Sequence, residues 1–455
     1  MRIGRNRAAL DGIQSRGMHS GRHRSAGFLT RLAVFSVLAV CIGATSTAAA
    51  VAPSAHFLMR LRQVIPPGTY LVLFQNNAEQ RPSGGFLGSF ATVSISSWGY
   101  SNVKIDTNIY KRDAVFTAQH DIEPPVGLRY VTNGQWAMRD SNWDVDFRDT
   151  AQRVSWFYQQ EGGEPVDGVI AVNASVLSDL LAITGPILLP DTGMIVTSKT
   201  ILDQLSIQIE QMYSTDPGRA QINEPKQVLA DFLPVIEQRL KDPFKISQVV
   251  SLFRQELAEK QLLLYSFHDA VENQILAFGW AGEVVSTTND YLSITGANVG
   301  AVKSSLHVSQ SSNLEITSEP KNLHHSLAIT RTHQGDGIWP DGPDQRYMRI
   351  MLFSSASDVS VSVDGSPVAF RESLESNKVV LGFEVLTDPG RKTNIAVQYN
   401  TPLQRGAYQL IFQKQPGTLV EGLRVGMDGD ELYDGQVKSD LVIGREKSFP
   451  LHPSS

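Results

Sequence analysis

Leu32 to Val51 form an apolar run almost free of charge, and the thirty-one residues before it carry seven arginines (Arg2, Arg5, Arg7, Arg16, Arg22, Arg24 and Arg31) against one acid, Asp11. About twenty apolar residues, rising about 1.5 Å each as a helix, are enough to cross a hydrocarbon core. The arginine excess on the N-terminal flank holds that side in the cytoplasm. The sequence therefore predicts a cytoplasmic basic tail at 1–31, a single-pass signal-anchor at 32–52 and a linker at 53–68. Everything after that is expected outside the cell membrane. Two other readings of the segment stay open. Ala48-Ala49-Ala50 fits a signal-peptidase site, and Leu38-Ala39-Val40-Cys41 has the outline of a lipobox, although Val40 stands where such boxes carry a small residue.

Cys41 is the only cysteine, so no disulfide can form within the chain and stability must come from burial. Hydrophobic residues make up 42% of the sequence, enough for two domains with a core each. The net charge is −6, and residues 1–31 contribute +6 (seven arginines less Asp11), which leaves −12 for the remainder. An acidic exported body argues against nucleic acid as a partner.

Tyr70 to Phe74 and Phe86 to Ile95 read as strands, and Ser97-Trp98-Gly99-Tyr100 turns the chain into a third at Val103 to Asp106, so a β-meander is expected to open the body. Asn76 to Gly85, between the first two strands, looks too polar and too rich in glycine for either element. The period then becomes helical at Phe147, Ala151, Val154 and Tyr158. A strand at Val169 to Val172 leads to a helix over Val176, Leu177, Leu180 and Leu181 that stops near Gly185-Pro186. Further helices are expected at Thr200 to Tyr213, at Lys226 to Lys241 with Pro234 as a kink, and at Ile246 to Lys260. Leu262 to Tyr265 and Tyr291 to Ile294 are expected to return to the first sheet. Beyond Val302 only short alternating segments remain, among them Ser326 to Thr330, Val359 to Val363 turning at Asp364-Gly365, Ile395 to Tyr399 and Tyr408 to Phe412. The predicted fold is an α/β domain at 69–301, with a mixed central sheet and flanking helices, then a β-sandwich at 302–445 and a tail at 446–455.

Several reaction classes leave motifs that this chain lacks: His-Glu-x-x-His, Gly-x-Ser-x-Gly, the phosphate loop Gly-x4-Gly-Lys and cysteine-based metal sites. The adjacent pair His324-His325 would point to opposite faces of a strand and reads as a polar strand edge. Three clusters remain. In the first, Asn76, Asn77, Glu79 and Arg81 precede Gly84-Gly85. A guanidinium fork suits phosphate or carboxylate, and glycines let the backbone approach a ligand closely. The same residues could equally form an internal Glu79–Arg81 pair with turn amides satisfied by the asparagines. In the second, Asp140, Asn142 and Asp144 alternate like the start of an EF-hand loop and could hold a divalent cation such as magnesium or calcium. Val145 and Ala151, however, stand where that loop needs glycine and glutamate. Asp146 fits the N-cap of the Phe147 helix, Asn173 that of the helix beginning at Ala174, and Asp269 that of a helix carrying Val271, Ile275 and Phe278. In the third, Asn298, Gly300 and Lys303 mark the domain junction, where the lysine could reach back to the first cluster.

The string Tyr70-Leu-Val-Leu-Phe-Gln-Asn-Asn-Ala-Glu-Gln-Arg-Pro-Ser-Gly-Gly-Phe86 resembles the opening motif of a bacterial family known as domain of unknown function 4012. Arg139 to Trp143 with Asp146-Phe147, Val166 to Ala171, Thr184-Gly185-Pro186, Ala297 to Gly300 with Lys303, and Gln413 to Gly417 are similar to later parts of it, from about Thr69 to Gly417. Gln80 departs from the apolar residue more usual there. The resemblance implies an anchored envelope protein and supplies no reaction. A more distant similarity is to LytR-CpsA-Psr phosphotransferases, in which an anchor also leads to a strand, an arginine-bearing loop and another strand, with a later unit resembling Val166 to Leu188. It implies that Arg81 would bind pyrophosphate and that Asp140 or Asp144 would hold magnesium. This chain lacks the several arginines and the Arg-x-Asp-Thr motif of those enzymes; Arg148-Asp149-Thr150 lies in a helix's first turn instead.

Two function classes are therefore expected. The first is a membrane-anchored extracytoplasmic envelope protein that binds a surface glycan, a lipid-linked precursor or another envelope protein. The second is a phosphotransferase acting on polyprenyl-pyrophosphate-linked glycopolymers. Whether the chain is an enzyme is left open by its sequence.

Overall fold

The computed structural model describes residues 52–204 and 243–452, apart from positions 98, 107–108, 130, 189–192, 194, 405 and 446–447, together with positions 235 and 238–239. The expected anchor lies outside the described residues up to Val51, as do most of the helices expected at Thr200 to Tyr213 and Lys226 to Lys241. Among the described residues no helix is long and apolar enough to cross a membrane.

Helix α1 (Ala52–Val64) occupies most of the stretch read as a linker. Pro53 falls in its first turn, where no amide donor is needed. Phe57, Leu58, Leu61 and Val64 then recur along one side, and all four are buried together with Ile65. Each such side chain removed from water stabilises the fold by roughly 1.5–3 kcal/mol, which is why this segment docks instead of behaving as a tether.

The meander follows as β1 (Gly68–Arg81), β2 (Gly84–Ser96) and β3 (Gly99–Asp106), then α2 (Ile109–Thr117) and α3 (Phe147–Gln160). Next come β4 (Gly168–Asn173), α4 (Ser175–Thr184), a two-stranded hairpin of β5 (Ile187–Leu188) and β6 (Ile195–Val196), α5 (Pro243–Ala258), β7 (Leu262–Ser266) and α6 (Asp269–Ala277). The sheet order is β3-β2-β1-β4-β7, with β4 parallel to β1 and the other neighbours antiparallel. Alternation along β1 sends Tyr70 and Val72 to one face, under α1, α4, α5 and α6. Leu71 and Leu73 go to the other, under α2, α3 and the loop bearing Trp136 and Trp143. Helices on both faces explain why this strand reads as a continuous apolar run.

Asp146 caps α3 as expected, accepting from the Arg148 amide at 3.0 Å. The other two expected caps are corrected. Asn173 gives no cap bond to α4, whose N-cap is Ala174; its side-chain amide donates to the Gln261 carbonyl instead. Asp269 is the first residue inside α6, where its charge favours the positive helix end, and His268 takes the cap position.

The remaining strands are β8 (Asp290–Asn298), β9 (Val308–Ser318), β10 (Asn322–His333), β11 (Asp344–Leu352), β12 (Ser357–Val363), β13 (Ser366–Pro367), β14 (Arg371–Glu375), β15 (Lys378–Thr387), β16 (Lys392–Pro402), β17 (Gln409–Gln413), β18 (Glu421–Met427), β19 (Asp430–Gln436), β20 (Leu441–Gly444) and β21 (Phe449–Pro450). They form two seven-stranded sheets, β13-β12-β16-β10-β9-β18-β19 and β14-β15-β11-β8-β17-β20-β21, packed as a β-sandwich. The Asp364-Gly365 turn has both residues at positive φ, 47° and 79°, the geometry of a tight hairpin.

Two expectations change here. Tyr291 to Ile294 does not return to the first sheet: β8 pairs with β11 and β17 and belongs to the sandwich. All nine of its residues are buried, because Leu292 and Ile294 face the sandwich core while Tyr291 and Ala297 face the α/β unit. The His324-His325 pair is not at a strand edge, since β10 lies between β16 and β9. His325 points inward, bonds Asp290 at 2.6 Å and stacks on Tyr399, while His324 bonds Asn400.

Candidate functional site

The polar segment from Asn76 to Gly85 is not a free loop. Strand β1 continues through it to Arg81, and β2 begins at Gly84. The hairpin register shifts between Asn76 and Gln80, so Asn77, Ala78 and Glu79 bulge out of the ladder. The two glycines make this possible for different reasons. Gly84 has φ +138°, which side-chain-bearing residues rarely adopt, whereas a Cβ on Gly85 would lie 2.1 Å from the Asn76 carbonyl carbon. The bulge thus rests directly on the Gly85 backbone. Asn76 tightens it by accepting from the Ala78 amide at 3.0 Å.

The hairpin tip is driven into the seam between the α/β unit and the sandwich. Arg81 is wholly buried; its Nη1 donates to the Asn298 carbonyl at 2.6 Å, and its Nη2 donates to Glu79 at 3.0 Å and to Asp140 at 3.2 Å. Lys303 closes on the other oxygen of Glu79. Both cations lie over the Phe86 ring, at 5.1 Å for Arg81 and 5.4 Å for Lys303. Burial works to raise the Glu79 carboxyl, but Lys303 and Arg81 more than offset it and hold the group below the ordinary carboxylate range. Burial likewise works to lower Arg81, and Glu79 and Asp140 reverse the sign. The pairs therefore stay ionised although water is excluded.

Asn298 templates the loop that follows it. Its side-chain amide donates to the Val302 carbonyl, Ser304 Oγ and Ser305 Oγ at 3.1–3.2 Å and accepts from the Gly300 amide at 3.0 Å, shaping the loop that delivers Lys303 to Glu79. Asn77 donates to the Gly417 carbonyl at 3.1 Å. Gln80 donates to Thr418 at 2.6 Å and accepts from Arg346 at 2.7 Å, which gives this polar residue a reason to stand at a buried position. The Gln415 side-chain amide donates to the carbonyls of Arg81 and Gly296, at 2.9 and 2.8 Å.

The three predicted cation ligands are each bonded to other groups of the chain. Asp140 divides its oxygens between Arg81 and Arg139, Asn142 donates to the Gly85 carbonyl at 2.7 Å, and Asp144 pairs with Arg153 at 2.8 Å. Among the described residues no three His, Cys, Asp or Glu side chains are grouped to hold a metal ion. The same contacts pin the Arg139–Trp143 segment to the hairpin: Ser83 donates to the Asn142 carbonyl and Arg349 of the sandwich to that of Trp143. Both Nη atoms of Arg81, the atoms a pyrophosphate would need, are taken by the Asn298 carbonyl, Glu79 and Asp140.

The first and third clusters therefore do converge, with Asp140 joining them, but as a closed ion-pair network. Sequence reading overlooked Arg346, which carries no local signal on a strand of ordinary alternation. Gln415 lies within the similar string at Gln413 to Gly417, and that string was the available clue.

Residues 66–209 match the model of a family described as "Protein of unknown function (DUF4012)". No curated protein matches the chain. Among solved structures, a putative nutrient binding protein from Legionella pneumophila is 13% identical with a TM-score of 0.26, over 34% of this chain and 70% of that one. Leukotriene A4 hydrolase from Saccharomyces cerevisiae is 10% identical with a TM-score of 0.18, over 32% and 28% of the two chains. The M1 zinc metallopeptidase from Deinococcus radiodurans is 11% identical with a TM-score of 0.17, over 32% and 40%. Similarities this low say nothing about activity.

Proposed function

For a chain whose residues 66–209 match the DUF4012 family model, we propose the role of a membrane-anchored envelope protein. Its body serves as a rigid, non-catalytic binding unit for a surface glycan, a lipid-linked precursor or another envelope protein. One observation carries this reading: the charged residues best suited to chemistry, Glu79, Arg81, Asp140 and Lys303, are spent on each other at the seam between the two units. Such a network fixes geometry and keeps Arg81 and Lys303 on carboxylates of the chain itself. The arginine-flanked apolar run supports placement at the cell membrane, with α1 docked so soon after it that the body would sit close to the lipid surface.

The test uses the full chain reconstituted in lipid vesicles. Retained binding of isolated envelope glycan or precursor, with no phosphate released from polyprenyl pyrophosphate in the presence of magnesium, is the expected result. Magnesium-dependent release that disappears in Arg81→Ala would overturn the reading in favour of an enzyme. For placement, protease added to intact cells should remove the sandwich; a sandwich left whole would overturn the exported orientation.

A further inference from the structure

Strands β1 and β4 are parallel neighbours, and their register sets Gln75 beside Asn173 at the carboxyl ends of both. In open α/β sheets that edge is where ligands enter. Here the segment between β17 and β18 lies across it. The Asn77 side-chain amide donates to the Gly417 carbonyl at 3.1 Å, the Gln261 side-chain amide to the Thr418 carbonyl at 3.0 Å, and the Gly417 main-chain amide to the Lys260 carbonyl at 3.2 Å. This strap seals the edge: Gln75, Asn77 and Asn173 are each no more than 2% exposed.

Beneath the strap, Gln75 Oε1 and Nε2, Asn77 Oδ1 and Asn173 Oδ1 are buried with no hydrogen-bond partner among the described residues. The nitrogens of both asparagines are committed, that of Asn77 to Ser175 Oγ and the Gly417 carbonyl, that of Asn173 to the Gln261 carbonyl. Turning either amide over to present a donor would break those bonds. Two glycines bring the groups together. A Cβ on Gly84 would stand 2.2 Å from Gln75 Oε1 and 2.9 Å from Asn173 Oδ1, and one on Gly417 would stand 3.1 Å from Asn173 Oδ1 and 3.0 Å from Gly84 Cα. The oxygens of Gln75 and Asn173 therefore share one small space between glycine backbones, within reach of a single bridging molecule.

The pattern of unbonded atoms selects the guest. Buried acceptors facing each other are costly unless a donor lies between them. A metal cation would satisfy the three oxygens and leave Gln75 Nε2 facing a positive charge. It would also join two buried ammonium groups, since Lys260 and Lys414 already donate to the carbonyls of Lys414 and Gln415 at the start of the strap. An anion would find one donor against three acceptors. Water carries two donors and two acceptor sites, and a buried water commonly makes about three bonds to such groups.

We propose that the space under the Gln415–Thr418 strap is a binding site for an ordered water, which donates to Gln75 Oε1 and Asn173 Oδ1 and is enclosed by Gly84 and Gly417. The water joins the α/β sheet to the strap of the sandwich, so its exchange with solvent requires the strap to lift.

A crystal structure of the full-length protein in detergent, at about 1.5 Å or better, tests the assignment. The expected result is a density peak about 2.6–3.2 Å from both side-chain oxygens. Gln75 and Asn173 bonded directly to each other with no peak between them would overturn it. So would a peak that gains anomalous signal in crystals grown with rubidium chloride, which would mark a cation. In solution, water-deuteron magnetic relaxation dispersion counts long-lived internal waters. Gln75→Met keeps the length of the side chain and removes both unbonded atoms, so the count should fall by one relative to the parent chain. An unchanged count in a Gln75→Met protein with the parent's circular dichroism would refute the site.

Discussion

Arg81 shows why residue type and residue role separate. Its sequence setting, an arginine among amides before two glycines, suits a ligand and a buried ion pair equally well, because both need donors in a fixed fork. Burial decides between them. Removing a buried cation leaves two carboxylates with a lost partner, so Arg81→Ala should cost about 3–5 kcal/mol in chemical denaturation. Lys303→Ala should cost less, about 1–3 kcal/mol, since Glu79 would keep Arg81. If both changes prove neutral, the network does not hold the seam. The local Glu79–Arg81 pair was legible from spacing, as was the reach of Lys303. The Gln80–Arg346 bond was not, because its partners lie 266 residues apart and neither has a local signal.

Elements whose burial follows one period were readable in advance. Helix α3, with Phe147, Ala151, Val154 and Tyr158 on one stripe and a capping Asp146, formed as spacing requires; Asp146→Ala should cost about 1 kcal/mol in thermal unfolding. The strands of the β1–β2 hairpin were readable, but not its continuation through Asn76 to Gly85, because a bulge breaks the alternation that marks a strand. Its signature lies in the glycines. Gly85→Ala would set a methyl group 2.1 Å from the Asn76 backbone, so this small change should destabilise the protein by several kcal/mol or leave it unfolded, as circular dichroism would show. A folded Gly85→Ala protein of ordinary stability would mean that the bulge is not as described. Strand β8 was assigned to the wrong sheet for a related reason. Both its faces are buried, so its composition resembles β1 and cannot report which sheet it joins.

At the scale of the molecule, the seam couples two units that each have a core. The hairpin tip, the Arg139–Trp143 segment, β8 and Gln415 all meet there, so calorimetry should show a single unfolding transition. Replacing Gln80 and Gln415 together by alanine should split it into two. His307 is a second bridge, lying between Asp203 of the α/β unit and Asp341 of the β10–β11 loop. Asp203 raises it against an opposing burial effect, with Asp341 adding, to about 9. Its contribution is therefore complete below the ordinary 6.5 and lost as pH rises through about 9. In His307→Gln, stability should vary less over that interval; an unchanged pH profile would remove the bridge from the account. By itself the sequence determined the two-unit plan, the helices with one apolar stripe, the alternating strands of the sandwich and the short list of charged residues worth following. Those depend on periods and compositions confined to short windows. Only the tertiary structure decided that β8 joins the sandwich, that the bulged hairpin enters the seam and that Arg81 faces carboxylates instead of solvent. Burial and ion pairing depend on what arrives from distant parts of the chain, and no local pattern carries that information.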